Sequence, residues 1–499
     1  MTTEDRPEAH RPMVRVPIAP EWDFPERRSD AQLESDRQRV RHQVDALSSP
    51  ERYRRTRGVV EQIRGRQDRA PKQHALPFDV YQPPRTGDTE SFLMTARGEL
   101  VVQFEAPNGP RDPDDDVAAG KAVRREAEVL ALLGELGYQP RPDDPETSRR
   151  PSQDQRARVF HSRKPPAQLA KDVELLRSRG VAAALNLVVP LGYLIKSDDF
   201  PTGTTGLGRP PTGGQATRQV RVAVVDTGFT PSPRGDGWLS NVVAAPRDLD
   251  LLDVVPEIGR LDWFSGHGTF AAGIVAQTAP LCEIVVYRFT QSDGLGTEKD
   301  LADALLQAAR EGHEANVPTI INASVGTPVV PGMPLIALQN AVERIAVDYP
   351  DVLIIASAGN TGTDEPMYPA AFDGVIAVGA VEFTGPTGQD ARPAPFSNFG
   401  GWVRCSTAGV GVVSTFVEGT EPPEPLAPQY PDEEFGPDAV AMWSGTSFSA
   451  PQISGAVAKL CYEDPALTPR AALDALLAGQ PELAGYGRVV RLLPGTPLP

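Results

Sequence analysis

Cysteine is nearly absent. Of 499 residues only Cys282, Cys405 and Cys461 carry a thiol, an odd number with no metal-ligand spacing. Two of them sit in apolar, strand-like runs. They read as small buried hydrophobes of a reducing compartment, which excludes a disulfide frame or a zinc knot. No run of about 18 apolar residues exists, so no spanning helix and no membrane partner are expected. The opening residues Met1-Thr2-Thr3-Glu4-Asp5-Arg6 lead into charge and proline rather than an apolar stretch. No secretory signal is read there, and the expected location is cytoplasmic. Positive charge is short in one part only: residues 1–200 hold 33 Lys+Arg and 33 Asp+Glu, whereas 201–499 hold 16 and 33, so the whole net charge of −17 lies in the second part. That surface excludes nucleic acid as a partner, because phosphate neutralisation needs a basic face; a basic peptide would suit it better.

Proline (51) and glycine (45) are plentiful but patchy, and they divide the chain. Residues 1–70 read as a charged, partly helical extension: 1–30 polar and poorly ordered, then a helix over 31–47 from the spacing of Leu33, Val40, Val44 and Leu47, then a second helix from Ser49-Pro50 to about Arg66. Arg52, Arg54, Arg55 and Arg57 fall on that second helix, as a solvated face or a surface for an acidic partner. Residues 71–90, broken by Pro71, Pro77, Pro83 and Pro84, read as a linker. A β-α-β-α-β pattern over 91–196 predicts a small α+β domain, interrupted by the polar stretch 139–155. Residues 197–219 are rich in Gly, Thr and Pro and read as a flexible linker, open to cleavage.

From Val220 the pattern changes to short apolar strands (220–225, 282–287, 319–323, 352–356 and 375–381) alternating with helices near 298–311 and 334–347. This predicts an α/β domain over 220–493 with a mostly parallel sheet covered by helices on both faces. In such sheets ligands gather at the carboxyl ends of the strands, and that is where the reactive residue types lie. The first strand ends in Asp226-Thr227-Gly228. His267, one of six histidines, stands between Gly266 and Gly268 at the start of a small-residue helix. An apolar strand delivers Asn360 directly after Gly359. Ser447 lies on the glycine-preceded turn of Gly445-Thr446-Ser447-Phe448-Ser449-Ala450-Pro451, ahead of a helix to about Tyr462. Alone, Ser447 could be a helix cap, His267 structural and Asp226 a turn residue. Together they supply a nucleophile, a base, its orienting carboxylate and an amide donor for an oxyanion, in the chain order Asp, His, Ser.

The segments 222–228, 267–269 with its helix, Asn322-Ala323-Ser324-Val325-Gly326, Ala358-Gly359-Asn360 and 445–451 together resemble a subtilisin-like serine protease (subtilase, peptidase family S8) over residues 220–493. The resemblance implies a subtilisin-like three-layer fold preceded by a pro-domain, here 91–196. It implies a serine endopeptidase with Asp226, His267 and Ser447 catalytic, Asn360 in the oxyanion hole, and a peptide or protein substrate clamped as a strand by Ser324-Val325-Gly326 and by the loop of Asp293 and Gly294. No metal and no cofactor are needed for catalysis; a structural calcium ion is compatible with an acidic insertion, 418–438, that has seven carboxylates and no Lys or Arg. The pro-domain would inhibit in cis and be cut away between Lys196 and Gln219. Met367, at the floor of the family's primary specificity pocket, suggests medium or large apolar P1 residues, with Asp364 and Glu365 nearby arguing for a basic one. The sedolisins share the serine motif but carry glutamate in place of His267. A second reading is a restrained or inert protease-like module of a cytosolic signalling or defence system, whose N-terminal half binds a partner.

Overall fold

A computed structural model describes residues 12–49, 52–69, 76–82, 93–104, 115–142, 156–190, 200–211, 214–256, 258–329, 332–385, 387–422 and 432–499. The chain opens with β1 (Val14–Arg15), a short 3-10 turn at Pro20–Trp22, and helices α1 (Asp30–Ser48) and α2 (Arg52–Arg69). Ser29 caps α1 by accepting from the Gln32 amide at 3.3 Å. Contrary to the expected disorder of residues 1–30, the described part is built into the body of the protein. β1 pairs antiparallel with a strand near residue 391, Val16 is fully buried, and Trp22 is 5% exposed. The side chains of Arg52, Arg54, Arg55 and Arg57 lie outside the described residues.

The second unit contains β2 (Phe78–Tyr81), β3 (Leu93–Gln103), α3 (Asp115–Glu135), β4 (Gln139–Pro140), β5 (Ala157–His161), α4 (Pro166–Ser178) and β6 (Ala183–Pro190). The segment read as a linker over 71–90 thus holds a strand, β2, with Phe78 opposite Ala96. Nearly every residue of β3 and β6 is buried, whichever way it points, so both faces of this antiparallel sheet are covered. Helix α4 packs on β3 and β6, and two helices of the following domain cover the same strands. The 197–219 connector is likewise corrected where it is described. It carries β7 (Thr202–Gly203), which pairs with the strand leading to Ser447, and Phe200 is 5% exposed among aromatic rings.

The remaining elements are β8 (Arg221–Asp226), β9 (Val242–Ala244), α5 (His267–Thr278), β10 (Glu283–Arg288), β11 (Leu295–Thr297), α6 (Glu298–Glu314), β12 (Thr319–Ala323), β13 (Thr327–Pro328), α7 (Ile336–Asp348), β14 (Val352–Ser357), β15 (Met367–Tyr368), β16 (Val375–Thr384), β17 (Asp390–Pro393), β18 (Val403–Ala408), β19 (Val412–Thr415), β20 (Gly419–Thr420), β21 (Glu434–Phe435), β22 (Val440–Trp443), α8 (Ala450–Glu463), α9 (Pro469–Leu477), β23 (Glu482–Leu483) and β24 (Gly487–Val489). The five predicted strands are β8, β10, β12, β14 and β16, each within a few residues of its expected bounds. The central order is β23-β24-β18-β16-β14-β12-β8-β10-β9, and β9 through β18 pair in parallel. After β8 the chain steps to β10 on one side, then crosses back to β12 on the other. The switch point of the sheet therefore lies at the carboxyl end of β8, where a crevice opens. Asp226 is its last residue.

Most apolar side chains of the central strands fall in two clusters. One packs with α6, α7 and the N-terminal α+β unit; the other packs with α5, α8 and α9. The fold is the three-layer α/β arrangement read from the sequence.

Candidate active site

Burial and glycine geometry bring the Asp226 turn and the His267 helix together. Gly228, at φ +114°, has no room for a side chain: a Cβ there would lie 2.8 Å from the Asp248 carbonyl and the Asp250 amide. A Cβ on Gly268 would fall 2.3 Å from the Gly228 carbonyl, so glycine at 268 is what lets the first turn of α5 lie on the aspartate turn. In that contact His267 Nδ1 sits 2.7 Å from Asp226 Oδ1, which also accepts the Thr227 amide at 2.7 Å. Asp226 is fully buried and His267 is 2% exposed. The imidazole is enclosed by aromatic rings, edge-on to Trp443 at 5.3 Å and tilted against Phe448 at 5.2 Å.

Asp250 ties the two turns together, a role the sequence offered no signal for. Its Oδ2 accepts from the Gly266 amide at 2.8 Å and from Thr227 Oγ1 at 3.1 Å. Burial pushes its carboxyl up to about 6.

Ser447 lies in a 3-10 turn, Thr446–Phe448, ahead of α8. The cap reading of this serine does not hold: no side chain caps α8, and Ser447 Oγ instead points at the Ser324 carbonyl at 3.4 Å. The turn is fixed from two sides. Ser324 Oγ donates to the Ser447 carbonyl at 2.8 Å and accepts from Asn322 Nδ2 at 3.0 Å, while Asn322 Oδ1 accepts from Ser454 on α8 at 3.1 Å. On the other side, Asn360 Oδ1 accepts the Thr446 amide at 2.9 Å and Thr446 Oγ1 at 2.8 Å. The Asn360 NH₂ lies close to Gly445, where a Cβ would be 3.4 Å from it.

Of the two expected substrate edges, the one at Ser324 bonds to this turn directly. Ser324, Val325 and Gly326 follow β12 directly. Asp293 and Gly294 precede β11, and the Asp293 side chain serves the loop itself. It is fully buried, and its Oδ1 accepts the Leu295 amide at 3.0 Å. Burial, with Asp262 beside it, holds this carboxyl well above the usual range; Asp262, bonded to Ser292 Oγ at 2.7 Å, is pushed up to about 7 by burial. One edge of β11 is paired with β6 antiparallel, Leu295 opposite Pro190 and Thr297 opposite Val188.

Met367 lies between Gly326 and Gly359. A Cβ on Gly359 would lie 2.8 Å from Met367 Cγ, and one on Gly326 would lie 3.3 Å from Met367 Cβ. At its described ends the acidic insertion is largely exposed but makes specific contacts: Asp432 pairs with Arg260, Glu433 Oε1 accepts the Gly203 amide at 2.9 Å, and Asp438 accepts the Gly235 amide at 2.7 Å. Among the described residues no group of three His, Cys, Asp or Glu side chains gathers as a metal site. Nor is any described helix long and apolar enough to cross a membrane.

Comparison with known proteins places the chain in a family. The Subtilase family matches residues 217–487. The chain is 32% identical over 254 residues to a thermophilic serine proteinase of Bacillus sp. (strain AK1), a match covering 48% of this chain and 52% of that protein. It is 28% identical over 257 residues to Subtilisin BL of Lederbergia lenta, covering 49% of this chain and 77% of the other. The chain thus spans about half the length of the first of these relatives. Among solved structures, fervidolysin from Fervidobacterium pennivorans, a keratinolytic enzyme related to subtilisin, has the same fold at 18% identity and a TM-score of 0.53, over 82% of this chain and 61% of that one. The family match takes in more than half of the chain and contains the aspartate strand, the histidine helix and the serine turn, and the chain belongs to the subtilase family.

Proposed function

We propose that the chain is a serine endopeptidase, and the observation that carries this is the buried Asp226–His267 pair at the switch point of the sheet, beside the Ser447 turn. Ser447 Oγ attacks a peptide carbonyl carbon while His267 takes its proton. Asp226 holds the imidazole by Nδ1 and stabilises its charged form. The tetrahedral oxyanion is held by the Asn360 NH₂ and the Ser447 backbone amide. Collapse gives an acyl-enzyme, with the proton passing from His267 to the leaving amine; water, deprotonated by His267, then releases the acid. No step needs a metal or cofactor. The substrate, a peptide or protein, lies as a strand between Ser324-Val325-Gly326 and the edge at Gly294, and Met367, set between Gly326 and Gly359, favours a small P1 side chain.

The N-terminal unit restrains this activity in cis, because β6 takes the β11 edge that a substrate strand would use. Autoprocessing belongs upstream of Phe200 within the expected window. Downstream, Phe200 is buried, β7 is paired and the Thr217 amide donates to the Tyr462 carbonyl at 2.8 Å. Three buried free thiols suit a reducing, cytoplasmic setting. The test is labelling with a fluorophosphonate. Wild type should label and Ser447→Ala should not; a wild type that neither labels nor differs in mass from Ser447→Ala would refute both activity and processing.

A further inference from the structure

The turn that carries Ser447 is held by a residue some four hundred positions upstream. Helix α1 buries one face, Asp36, Val40, Gln43, Val44 and Ala46, against the strands behind the serine. Val40 and Val44 pack with Val410, Met442 and Phe396. The approach is close enough that a Cβ on Gly411 would lie 2.8 Å from Val40 Cγ2.

At the centre of this contact is the Gln43 amide, 1% exposed. Its Nε2 donates to the Met442 carbonyl at 3.0 Å and to the Phe200 carbonyl at 3.1 Å. Its Oε1 accepts from Ser444 Oγ at 2.9 Å, and Ser444 Oγ in turn accepts the Gly411 amide at 3.0 Å. Gln43 therefore grips the last residues of β22, the end of the connector at Phe200 and the first residue of the nucleophile turn. From Ser444 the chain runs through Gly445, whose amide donates to Gly409, to Ser447. An apolar residue at 43 would leave two carbonyls and a hydroxyl buried without their partner, a cost that the turn can relieve only by moving.

The extension that brings Gln43 here is anchored independently of it. The Val16 amide donates to the Gln389 carbonyl at 2.8 Å, and Val16 packs among Val381, Phe383 and Ala391. Arg28 reaches Asp36 at 3.0 Å and Thr496 Oγ1 at 2.8 Å, and Asp36 also accepts from Thr204 Oγ1 at 2.7 Å.

We propose that Gln43 is a positioning residue for the nucleophile turn. The inference rests on the serine endopeptidase reading for its kinetic consequence, not for its structural one. Gln43 touches no reacting atom; it acts through Ser444.

The test uses the full chain as wild type, Gln43→Leu and Val16→Ala, the last loosening the same extension at a site that does not touch Ser444. Amide hydrogen exchange is followed in peptides spanning Met442 to Phe448, alongside kcat and KM on a short peptide amide. In Gln43→Leu, exchange across the turn should speed by about tenfold or more. Its kcat should fall by about 10- to 100-fold with KM within about twofold, since small misplacements of a reacting group act on kcat. Val16→Ala should leave both the turn's exchange and kcat at wild-type values. Unchanged exchange across the turn in Gln43→Leu, or unchanged kcat in an active enzyme, overturns the proposal. Absence of Ser447-dependent turnover in wild type sinks the endopeptidase reading instead, and the exchange rates alone then decide the role of Gln43.

Discussion

Replacing Glu298 by glutamine should remove a pH dependence of stability whose sign and size follow from where this carboxyl sits. Glu298 is fully buried as the first residue of α6, facing the Ala337 and Leu338 amides at the start of α7, with Lys299 next to it. Burial outweighs those favourable neighbours and raises its pKa from 4.5 to about 8. Between these values the unfolded chain releases a proton that the folded protein keeps, so the folded state loses ground as pH rises. The loss runs at about 1.4 kcal/mol per pH unit, about 5 kcal/mol in all across the window, and is complete above the folded pKa. Denaturant unfolding of wild type and Glu298→Gln, both in a Ser447→Ala background to prevent self-digestion, should give matching stabilities near pH 4. The curves should then diverge, with glutamine the more stable, and run parallel above pH 8. The other buried carboxyls are common to both proteins and cancel in the difference. Parallel curves throughout, or an advantage for glutamine that grows toward acid, would refute the reasoning.

Three further outcomes are expected. Asn360→Ala should remain folded and lose about 10²–10³ in kcat with little change in KM, a magnitude known from the corresponding amide of subtilisin rather than worked from this structure; wild-type turnover in a peptide assay would remove Asn360 from the oxyanion site. Met367→Gly should open the space between Gly326 and Gly359 and raise the ratio of kcat/KM for a Phe over an Ala P1 substrate by about tenfold or more; an unchanged ratio in a library assay would show that Met367 does not floor the pocket. Cys282, Cys405 and Cys461 are at most 1% exposed, and burial raises all three thiols, Cys405 to about 12. None should react with an aromatic disulfide reagent until the protein unfolds, and rapid reaction of the native protein would contradict their burial.

The sequence by itself determined the parallel sheet, the residues at its strand ends, and the family. Those features are local: apolar runs of strand length, a glycine at 228 or 268 where a side chain would collide with backbone, and a reactive residue type beside each glycine. They are legible because backbone conformation and chemistry coincide within a few residues. Only the tertiary structure decided what holds them. Asp250 joins the Asp226 and His267 turns from a stretch with no motif. Asp293 is expected to meet a substrate through its main chain; its side chain is a buried loop former, turned back to the Leu295 amide. Phe200 and Thr202–Gly203 read as linker since glycine, threonine and proline dominate around them, yet an aromatic pocket and the edge of β22 order them. Residues 12–48 read as a charged extension because the buried α1 positions Val40, Gln43 and Val44 find their partners near Gly411, Met442 and Ser444. Helix periodicity shows that a face exists but not what covers it, and for Gln43 the complementary groups lie some four hundred residues away, where only folding brings them within reach.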